Sequence, residues 1–387
     1  MSAEPLPLPA GFGCYVANVG IKDETDDFVV VCSDRPTAAA GVFTTSSFAG
    51  PSVLISREHV ADGSARAVVV VSKNANVATG EQGSADAREL ATGVARRLGI
   101  AADEVLVAST GVIGRTYPMD RVRAGIERVP SALTGNDAWS VARGIMTTDT
   151  VPKTAVATVG NARIVGVAKG VGMIEPDMAT LITIVLTDAA VAATDLDAVF
   201  RRCIDRTFNC VSIDTDTSTS DTAIMLANGA AGAVPLDELE RGLHDVLLSL
   251  TKQVARDGEG AEKLVEVHVA GARDAAQAKR VAKAIVNSPL VKTAVHGADP
   301  NWGRIAMAVG KATTADEVDQ QRVVIRFGSQ EVYPARVDDE GLDALAAYMR
   351  GDEIRVDVHL GAGDAESTVW GCDLTAGYVR INADYTT

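Results

Sequence analysis

Aromatic side chains are scarce in this sequence. Phe, Trp and Tyr together make up 4% of the 387 residues, whereas hydrophobic residues as a whole make up 47%. The interior must therefore be filled mainly by Ala, Val, Leu and Ile rather than by rings. Such side chains suit sheets and helices that are stacked tightly.

Cysteine and histidine are few and widely scattered. The cysteines are odd in number and show neither a disulfide framework nor zinc-ligand spacing, so we expect them to be small buried hydrophobes. The histidines form neither an HxxxH pattern nor a defensible Ser-His-Asp order, and we expect a structural role for His296. The cysteines are Cys14, Cys32, Cys203, Cys210 and Cys372, and the histidines are His59, His244, His268, His296 and His359.

The sequence also lacks an excess of positive charge and a long apolar run. Its formal net charge is -15 and its pI is near 4.8, which argues against nucleic acids and anionic membranes as partners because both would be repelled. No stretch approaches the ~18 apolar residues of a membrane span, and residues 1–11 hold three prolines and no basic region. We therefore expect a soluble, cytoplasmic protein that acts on small molecules.

What is present is an alternation of β-rich runs and amphipathic helices. At 387 residues, the chain should form one large layered domain and a smaller one, or two lobes. The order of elements predicts a mixed α/β fold, with α+β layers. In the first half we predict strands at residues 28–32, 67–71 and 104–108, and helices from after Ser84 to Gly99 and at residues 119–129.

The second half continues this pattern. Residues 179–186 (ATLITIVL) predict a fully buried strand with Thr180 at its start. Thr194 and Asp197 resemble a capping box for the next helix, and a long helix follows Pro235. We expect a strand-rich tail over residues 323–380 and a smaller α+β lobe over roughly residues 260–387.

The densest chemical signal is KGVGMIEPDMAT at residues 169–180, a glycine-rich segment that ends on a threonine opening a buried strand. Glycines permit strained backbone. A phosphate cradle is one interpretation, but neither GxxxxGK[ST] nor a complete GxGxxG occurs here. A tight turn entering a core strand is another, and the segment by itself does not decide between a structural and a catalytic role.

Taken with five other segments, the motif resembles the ornithine acetyltransferase (glutamate N-acetyltransferase) family, whose self-cleaving motif is KGxGMIxP[ND]MAT. The resemblance covers essentially the whole chain and implies the self-processing fold that this family shares with DmpA-type aminopeptidases, with stacked sheets flanked by helices. The other matching segments are residues 109–114, 146–150, 212–222, 297–304 and 377–382.

The resemblance implies that the chain cuts itself between Ala179 and Thr180, giving an α chain of residues 1–179 and a β chain of residues 180–387. The chemistry of the residues agrees. A threonine hydroxyl is a weak nucleophile without a base, and the freed α-amine, which titrates near ~7.7 to 8.0, can serve as that base. Thr180 would then carry acetyl from N-acetyl-L-ornithine to L-glutamate in a ping-pong reaction, within an α2β2 heterotetramer and without a cofactor.

The resemblance also assigns the other site residues. Thr110 and Gly111 would form the oxyanion hole, which acyl transfer needs. A turn that ends a strand is the alternative for these two residues. The implied substrate contacts are Thr147, Lys169, Thr180, Glu259, Asn382 and Thr387, whose cation, anion and hydrogen-bonding groups suit an amino-acid skeleton.

The acidic, hydroxyl-rich residues 214–222 invite comparison with a metal site through Asp214, Asp216 and Asp221. The glycine and closing glutamate of an EF-hand are missing, so we predict no metal ligand there and favour a network that supports the active site. No site for coenzyme A is evident, and acetyl-CoA as a donor stays open.

Two departures from the arginine-pathway members flank functional regions. Asp177 stands where those members commonly have Asn, and residues 76–80 read NVATG instead of NACTG. They resemble paralogues of clavam-type antibiotic pathways, so the role could lie in arginine or in clavam-type metabolism. A self-processing aminopeptidase or amidase of the same fold, and a binding protein that has lost cleavage, are the alternative functions.

Overall fold

The protein contains two β-sheets. Its structure is a computed structural model that describes residues 4–175 and 181–383. Contacts divide these residues into two units. The first comprises the described residues up to Phe208 together with Asp216–Leu250, and the second comprises Asn209–Thr215 together with the described residues from Thr251 onward.

The sheet of the first unit has the strand order β4-β3-β2-β8-β7-β6-β5, and β1 pairs with β2. The pairs β3/β4 and β7/β8 are parallel, and the other neighbours are antiparallel. The strands are β1 (Phe12–Ala17), β2 (Phe28–Phe43), β3 (Ser64–Asn74), β4 (Val105–Val112), β5 (Lys153–Val159), β6 (Ala162–Lys169), β7 (Ile182–Ala190) and β8 (Thr222–Ala233).

The central strands of this sheet are buried on both faces, as their continuous apolar runs require. In β2, Val29 and Val31 join one hydrophobic cluster, whereas Phe28 and Val30 join another on the opposite face. Helix residues complete each cluster. The helices of the first unit are α1 (Pro51–His59), α2 (Gly80–Leu98), α3 (Met119–Arg128), α4 (Ala138–Ile145) and α5 (Ala193–Arg206), and α6 (Leu236–Arg256) begins in it.

The second unit holds a smaller sheet with the order β11-β10-β12-β9-β13, in which only β9/β12 is a parallel pair. The strands are β9 (Leu264–Ala272), β10 (Val324–Phe327), β11 (Gln330–Tyr333), β12 (Glu353–His359) and β13 (Ala365–Cys372). The helices are α7 (Ala275–Val286), α8 (Pro289–His296), α9 (Trp302–Ala312), α10 (Asp339–Met349) and α11 (Ala376–Ala383).

The predicted α/β class is confirmed, and the predicted strands and helices of the first half correspond to β2, β3, α2, β4 and α3, although Glu104 and Val129 lie just outside β4 and α3. All five cysteines are buried and free. Residues 179 and 180 of the predicted nucleophile strand lie outside the described residues, and β7 is described from Ile182. In the described ranges, no helix is both long and apolar enough to cross a membrane.

One local prediction was wrong. The capping box at Thr194 and Asp197 is absent, because α5 begins earlier, with Ala192 as N-cap and no side-chain cap, and Asp197 instead pairs with Arg201 at 2.8 Å. The end of the predicted strand-rich tail is helical: residues 376–383 form α11. The rest of the tail holds the four strands β10 to β13, so it is strand-rich as predicted.

Helix α4 lies very close to the sheet because Gly144 has no side chain. A Cβ atom at Gly144 would overlap Val29 Cγ2 and lie 3.0 Å from Val16 Cγ1. The Gly144 carbonyl accepts a hydrogen bond from Ser72 Oγ at 2.7 Å, which further fixes the helix against β3.

Replacing Gly144 with Ala should therefore destabilise the protein by about 1–3 kcal/mol, the usual cost of overpacking a core. Urea unfolding followed by circular dichroism measures this change. The control is Gly310→Ala in α9, where a Cβ atom would meet nothing within 4 Å and should be neutral or stabilising. Equal midpoints for Gly144→Ala and the wild type would contradict this account of α4.

Candidate active site

Thr110 and Gly111 lie near the end of β4, where the parallel pairing with β3 becomes irregular. Gly111 lies opposite Lys73 in the register and has a φ of 130°. A Cβ atom there would overlap the Lys73 backbone, so glycine is required by both its backbone angle and this close approach. The irregularity sets the position of the Thr110 hydroxyl at the edge of the sheet.

Lys169 is the last residue of β6, and its side chain contacts Thr110. Its Nζ donates a hydrogen bond to Thr110 Oγ1 at 3.2 Å, and only 4% of Lys169 is exposed. Two residues that the sequence analysis assigned to different functions are thus in direct contact. A buried cation beside a hydroxyl and a sharply turned backbone is an environment that stabilises negative charge.

The Asp149 carboxylate connects Thr147 with the start of the glycine-rich motif. Its Oδ2 accepts from the Thr147 N–H at 3.1 Å, and its Oδ1 accepts from the Gly170 N–H at 2.7 Å. Oδ1 also accepts from Lys153 Nζ at 2.7 Å, and both side chains of this ion pair are 0% exposed. Asp149 therefore fixes the backbone of two segments that carry candidate substrate contacts.

The ionisation of Asp149 follows from these partners. Burial by itself would raise the pKa of this carboxyl, but the charges of Lys169 and Lys153 and the hydrogen bonds from Lys153 and Gly170 together lower its pKa to about 2. Asp149 is thus a carboxylate at neutral pH. Asp149 lies in the matching segment at residues 146–150, but no sequence pattern indicates that it is the residue that organises this segment.

Lys22 supports the same region from another segment and was missed entirely. Its Nζ donates to the carbonyl oxygens of Met146 and Asp26, each at 2.7 Å. Burial lowers the pKa of Lys22 to about 8, against the opposing charge of Asp27. The segment around Lys22 resembles a solvated charged loop in sequence, so no local pattern could have revealed this contact.

The acidic run at residues 214–222 contacts both described flanks of the glycine-rich motif. On one side, the Glu175 N–H donates to the Asp216 carbonyl oxygen at 3.0 Å. On the other side, the Leu181 N–H donates to Asp221 Oδ1 at 2.6 Å, and the Thr222 N–H donates to the Leu181 carbonyl oxygen at 2.8 Å. These contacts place the run beside the motif, where the sequence analysis expected a supporting network.

In the second unit, Glu259 and Asn382 contact each other. Asn382 Nδ2 donates to Glu259 Oε2 at 3.0 Å and to the Tyr378 carbonyl oxygen at 3.1 Å. The adjacent Gly260, with a φ of 69°, accepts from Thr375 Oγ1 at 2.6 Å. The turn that carries Glu259 is thus bound to the segment that leads into α11.

His296 lies at the end of α8 beside two carboxylates. Its Nδ1 is 3.1 Å from Asp373 Oδ2 and 3.5 Å from Glu262 Oε2. The backbone N–H groups of Glu262 and Lys263 donate hydrogen bonds to Asp373 Oδ1 and orient this carboxylate. Within the described ranges, these three side chains form the one group whose potential metal-ligand atoms all lie within 4.8 Å of one another.

The candidate residues therefore fall into groups. In the first unit, Thr110 and Lys169 are in contact, Gly111 follows Thr110, and Asp149 connects Thr147 to Gly170. In the second unit, Glu259 and Asn382 are in contact. The remaining candidates, Ala179, Thr180 and Thr387, and the departure at Asp177, lie outside the described residues.

The depressed pKa of Asp149 predicts a pH dependence of stability. Because the folded pKa lies below the ordinary value of 3.8, the ionised form contributes about 2 kcal/mol at neutral pH, which is lost as the pH falls from about 4 to 2. Asp149→Asn should remove this dependence. It should also lower the free energy of unfolding at pH 7 by about 3–5 kcal/mol, because Lys153 is left buried without its partner.

Unfolding in urea at pH 7 and at several lower pH values measures both effects. Asp197→Asn is the matched control, because Asp197 and Arg201 form an ion pair of the same sequence spacing that is largely exposed. Such a pair contributes only about 0.3–0.5 kcal/mol. Similar losses in the two variants would refute the role given to Asp149.

Comparison with known proteins identifies the family. The ArgJ family model matches residues 14–387. The chain is 54% identical to arginine biosynthesis bifunctional protein ArgJ 2 of Nostoc sp., over 387 residues and 100% of both chains. It is 55% identical to glutamate N-acetyltransferase Oat2 of Streptomyces clavuligerus, over 395 aligned residues and again 100% of both chains.

Two solved structures are also similar. The ArgJ protein from Bacillus halodurans shares 39% identity, with a TM-score of 0.48, covering 51% of this chain and 96% of that chain. Ornithine acetyltransferase from Mycobacterium tuberculosis, complexed with ornithine, shares 35% identity, with a TM-score of 0.40, covering 47% and 98%. The family resemblance noted in the sequence is confirmed by the match over residues 14–387 and by the identity to full-length relatives: the chain belongs to the ArgJ family.

Proposed function

We propose that this chain is a self-cleaving glutamate N-acetyltransferase that moves acetyl from N-acetyl-L-ornithine to L-glutamate through an acetyl-Thr180 intermediate. The observation that carries the proposal is the buried contact between Lys169 Nζ and Thr110 Oγ1 at 3.2 Å. It brings the first residue of the self-cleavage motif against the candidate oxyanion hole. An acyl-transfer site requires such an arrangement at its nucleophile.

Self-cleavage comes first in this mechanism. The Thr180 hydroxyl adds to the Ala179 carbonyl carbon, the peptide C–N bond breaks, and an ester between Ala179 and Thr180 forms. Breaking the C–N bond frees the Thr180 α-amine, and water then hydrolyses the ester to free the Thr180 hydroxyl and the carboxyl group of Ala179. Thr110 and Gly111 would stabilise the oxyanion, and Asp149 would hold the start of the motif through the Gly170 N–H.

Acetyl transfer then uses the freed residue. The α-amine of Thr180 takes the hydroxyl proton as the oxygen attacks the acetyl donor, and ornithine leaves with an added proton. Glutamate enters after the first product departs and attacks the acetyl-threonine ester. The reaction is therefore ping-pong, and its steps need no cofactor.

The substrate class follows from the candidate contacts. Lys169 supplies a cation for a carboxylate, Glu259 supplies an anion for an amine, and Asn382 supplies an amide that is already bound to Glu259. Thr147, Thr180 and Thr387 supply hydroxyl groups. The names of the relatives, glutamate N-acetyltransferase Oat2 and the bifunctional ArgJ proteins of arginine biosynthesis, agree with this choice.

The proposal includes a cellular setting. The cleaved chains, residues 1–179 and 180–387, would stay together and assemble as an α2β2 heterotetramer in the cytoplasm. The smaller lobe of the β chain would comprise roughly residues 260–387. The metabolic role would lie in arginine or clavam-type antibiotic synthesis; a relative named for arginine biosynthesis and one from Streptomyces clavuligerus both match the chain along its whole length.

Cleavage is tested on the purified protein. The wild type should give two fragments, residues 1–179 and 180–387, that separate on a denaturing gel and co-elute in gel filtration, and the second should begin with Thr180. Thr180→Ala should stay a single chain, because the attacking hydroxyl is gone. A wild type that is intact and yet fully active would refute the proposal.

Transfer is tested with N-acetylornithine as donor, by comparing the acetylglutamate formed with the acetate released. Glutamate held in attack geometry should capture the acetyl group far faster than water, because effective concentrations reach ~100,000 M in favourable cases. Glu259→Gln should lower transfer to glutamate or ornithine at least ~10-fold by weakening a charged contact, and leave self-cleavage intact.

The matched control is Glu340→Gln, the same change at an exposed position in the first turn of α10. It should leave both transfer and cleavage unchanged. If acetate predominates at saturating glutamate, the protein is a hydrolase of the aminopeptidase or amidase type and not a transferase.

A further inference from the structure

Asp221 is a fully buried carboxylic acid next to the residue that follows Thr180. It is 1% exposed and lies just before β8, and its Oδ1 accepts the Leu181 N–H at 2.6 Å. That nitrogen is the amide nitrogen bonded directly to residue 180. The Asp221 carboxyl therefore contacts the residue that follows the proposed nucleophile in the chain.

The second oxygen of this carboxyl is available. Among the described residues, Asp221 Oδ2 is buried and has no hydrogen-bond partner. A buried polar atom is normally hydrogen-bonded, so one without a partner calls for an explanation. The other oxygen of the same carboxyl accepts the N–H of Leu181, which follows the scissile bond directly in the chain.

Burial favours the protonated form of Asp221. Burial raises the pKa of this carboxyl well above its usual value, while the hydrogen bond from Leu181, the Thr44 hydroxyl and the charge of Lys169 only partly oppose it.

We propose that the Asp221 carboxyl is the proton carrier of self-cleavage, giving a proton to the Thr180 nitrogen and receiving one from the Thr180 hydroxyl. The inference rests on the proposed self-cleavage at Ala179/Thr180 and deepens it. The uncleaved Thr180 has no free α-amine to act as base, so this step needs another proton-transfer group. A neutral acid with one free oxygen meets that need.

The step balances without any further reactant. As the Thr180 hydroxyl oxygen bonds to the Ala179 carbonyl carbon, its proton passes to the carboxyl, and the carboxyl proton passes to the Thr180 nitrogen as the C–N bond breaks. Asp221 ends as it began, protonated. The products are an ester and a neutral amine, and no charge is left in the buried site.

The other buried ionisable groups nearby are unsuited to this role. Asp149 is ionised, with a pKa of about 2, and its oxygens already accept from Lys153, Gly170 and Thr147. Lys169 donates to Thr110 Oγ1. Asp221 is the carboxyl whose protonation and position both fit.

The experiment compares two substitutions of Asp221 by following cleavage of freshly synthesised chains on denaturing gels. Asp221→Asn keeps an oxygen acceptor for the Leu181 N–H but has no acidic proton, whereas Asp221→Ala removes both. If Asp221 carries the proton, both variants should cleave at least ~100-fold more slowly, the usual contribution of general acid–base catalysis. If Asp221 only holds Leu181 in place, Asp221→Asn should cleave at the wild-type rate, and the inference would be overturned.

Asp188→Asn is the matched control. Asp188 is 5% exposed near the other end of β7, where its oxygens accept the N–H groups of Ala10 at 3.0 Å and Arg163 at 2.7 Å. The same isosteric change at Asp188 should leave the cleavage rate unchanged. A slower rate in this control would show that altering any buried carboxylate near β7 impairs cleavage.

A measurement on the wild type keeps the inference testable if Asp221→Asn does not fold. Cleavage of the wild type should be at least about twofold slower in D2O than in H2O, because protons move in the rate-limiting step. Equal rates in the two solvents would overturn the inference. If the wild type cleaves and transfers acetyl, and Asp221→Asn cleaves at the same rate, this inference alone is refuted. If the wild type never cleaves, the proposed function is refuted.

Discussion

The buried Asp149–Lys153 ion pair is the interaction on which the candidate site depends. Both side chains are wholly inaccessible, and removing two charges from water costs several kcal/mol per ion unless further hydrogen bonds compensate. The compensation comes from the backbone N–H groups of Thr147 and Gly170. The requirement to satisfy a buried charge is thus also what holds the start of the glycine-rich motif in one conformation.

The sheet brings the other groups to this place. β4 and β6 end at Gly111–Val112 and Lys169, and the irregular pairing of β4 with β3 sets the position of Thr110. Only a glycine at position 111 allows the backbone to approach Lys73 so closely. The site therefore depends on where strands end and on one position without a side chain, features that tolerate little change.

The sequence predicted the elements well where a single periodic pattern decided the structure. The runs of valine in β2 and β3 could only be buried strands, and α2 and α3 carry apolar residues at helical spacing. Prediction failed at Thr194 because a capping motif is a local signal, and a helix that starts two residues earlier satisfies its N-terminus differently.

The candidate site shows a similar division. The family resemblance assigned roles to Thr110, Gly111, Thr147 and Lys169. No sequence pattern indicated that Asp149 joins two of their segments or that Lys22 donates to the carbonyl oxygen of Met146. Both depend on contacts across more than 20 residues of sequence, which only the folded chain creates.

The contrast between Asp149 and Asp221 shows how one residue type can supply two kinds of chemistry. Asp149 has two lysines near it and three hydrogen-bond donors, so its charge is stabilised in spite of burial. Asp221 accepts one backbone N–H, and the charge of Lys169 lowers its pKa only slightly. Burial is therefore the largest effect on this pKa, and it favours the neutral form. An ionised carboxylate can hold backbone in place but has no proton to give, whereas a neutral carboxyl can give one. The proposed self-cleavage needs both a backbone held in place and a mobile proton, and in this proposal the two would come from separate aspartates, one on either side of the motif in the sequence.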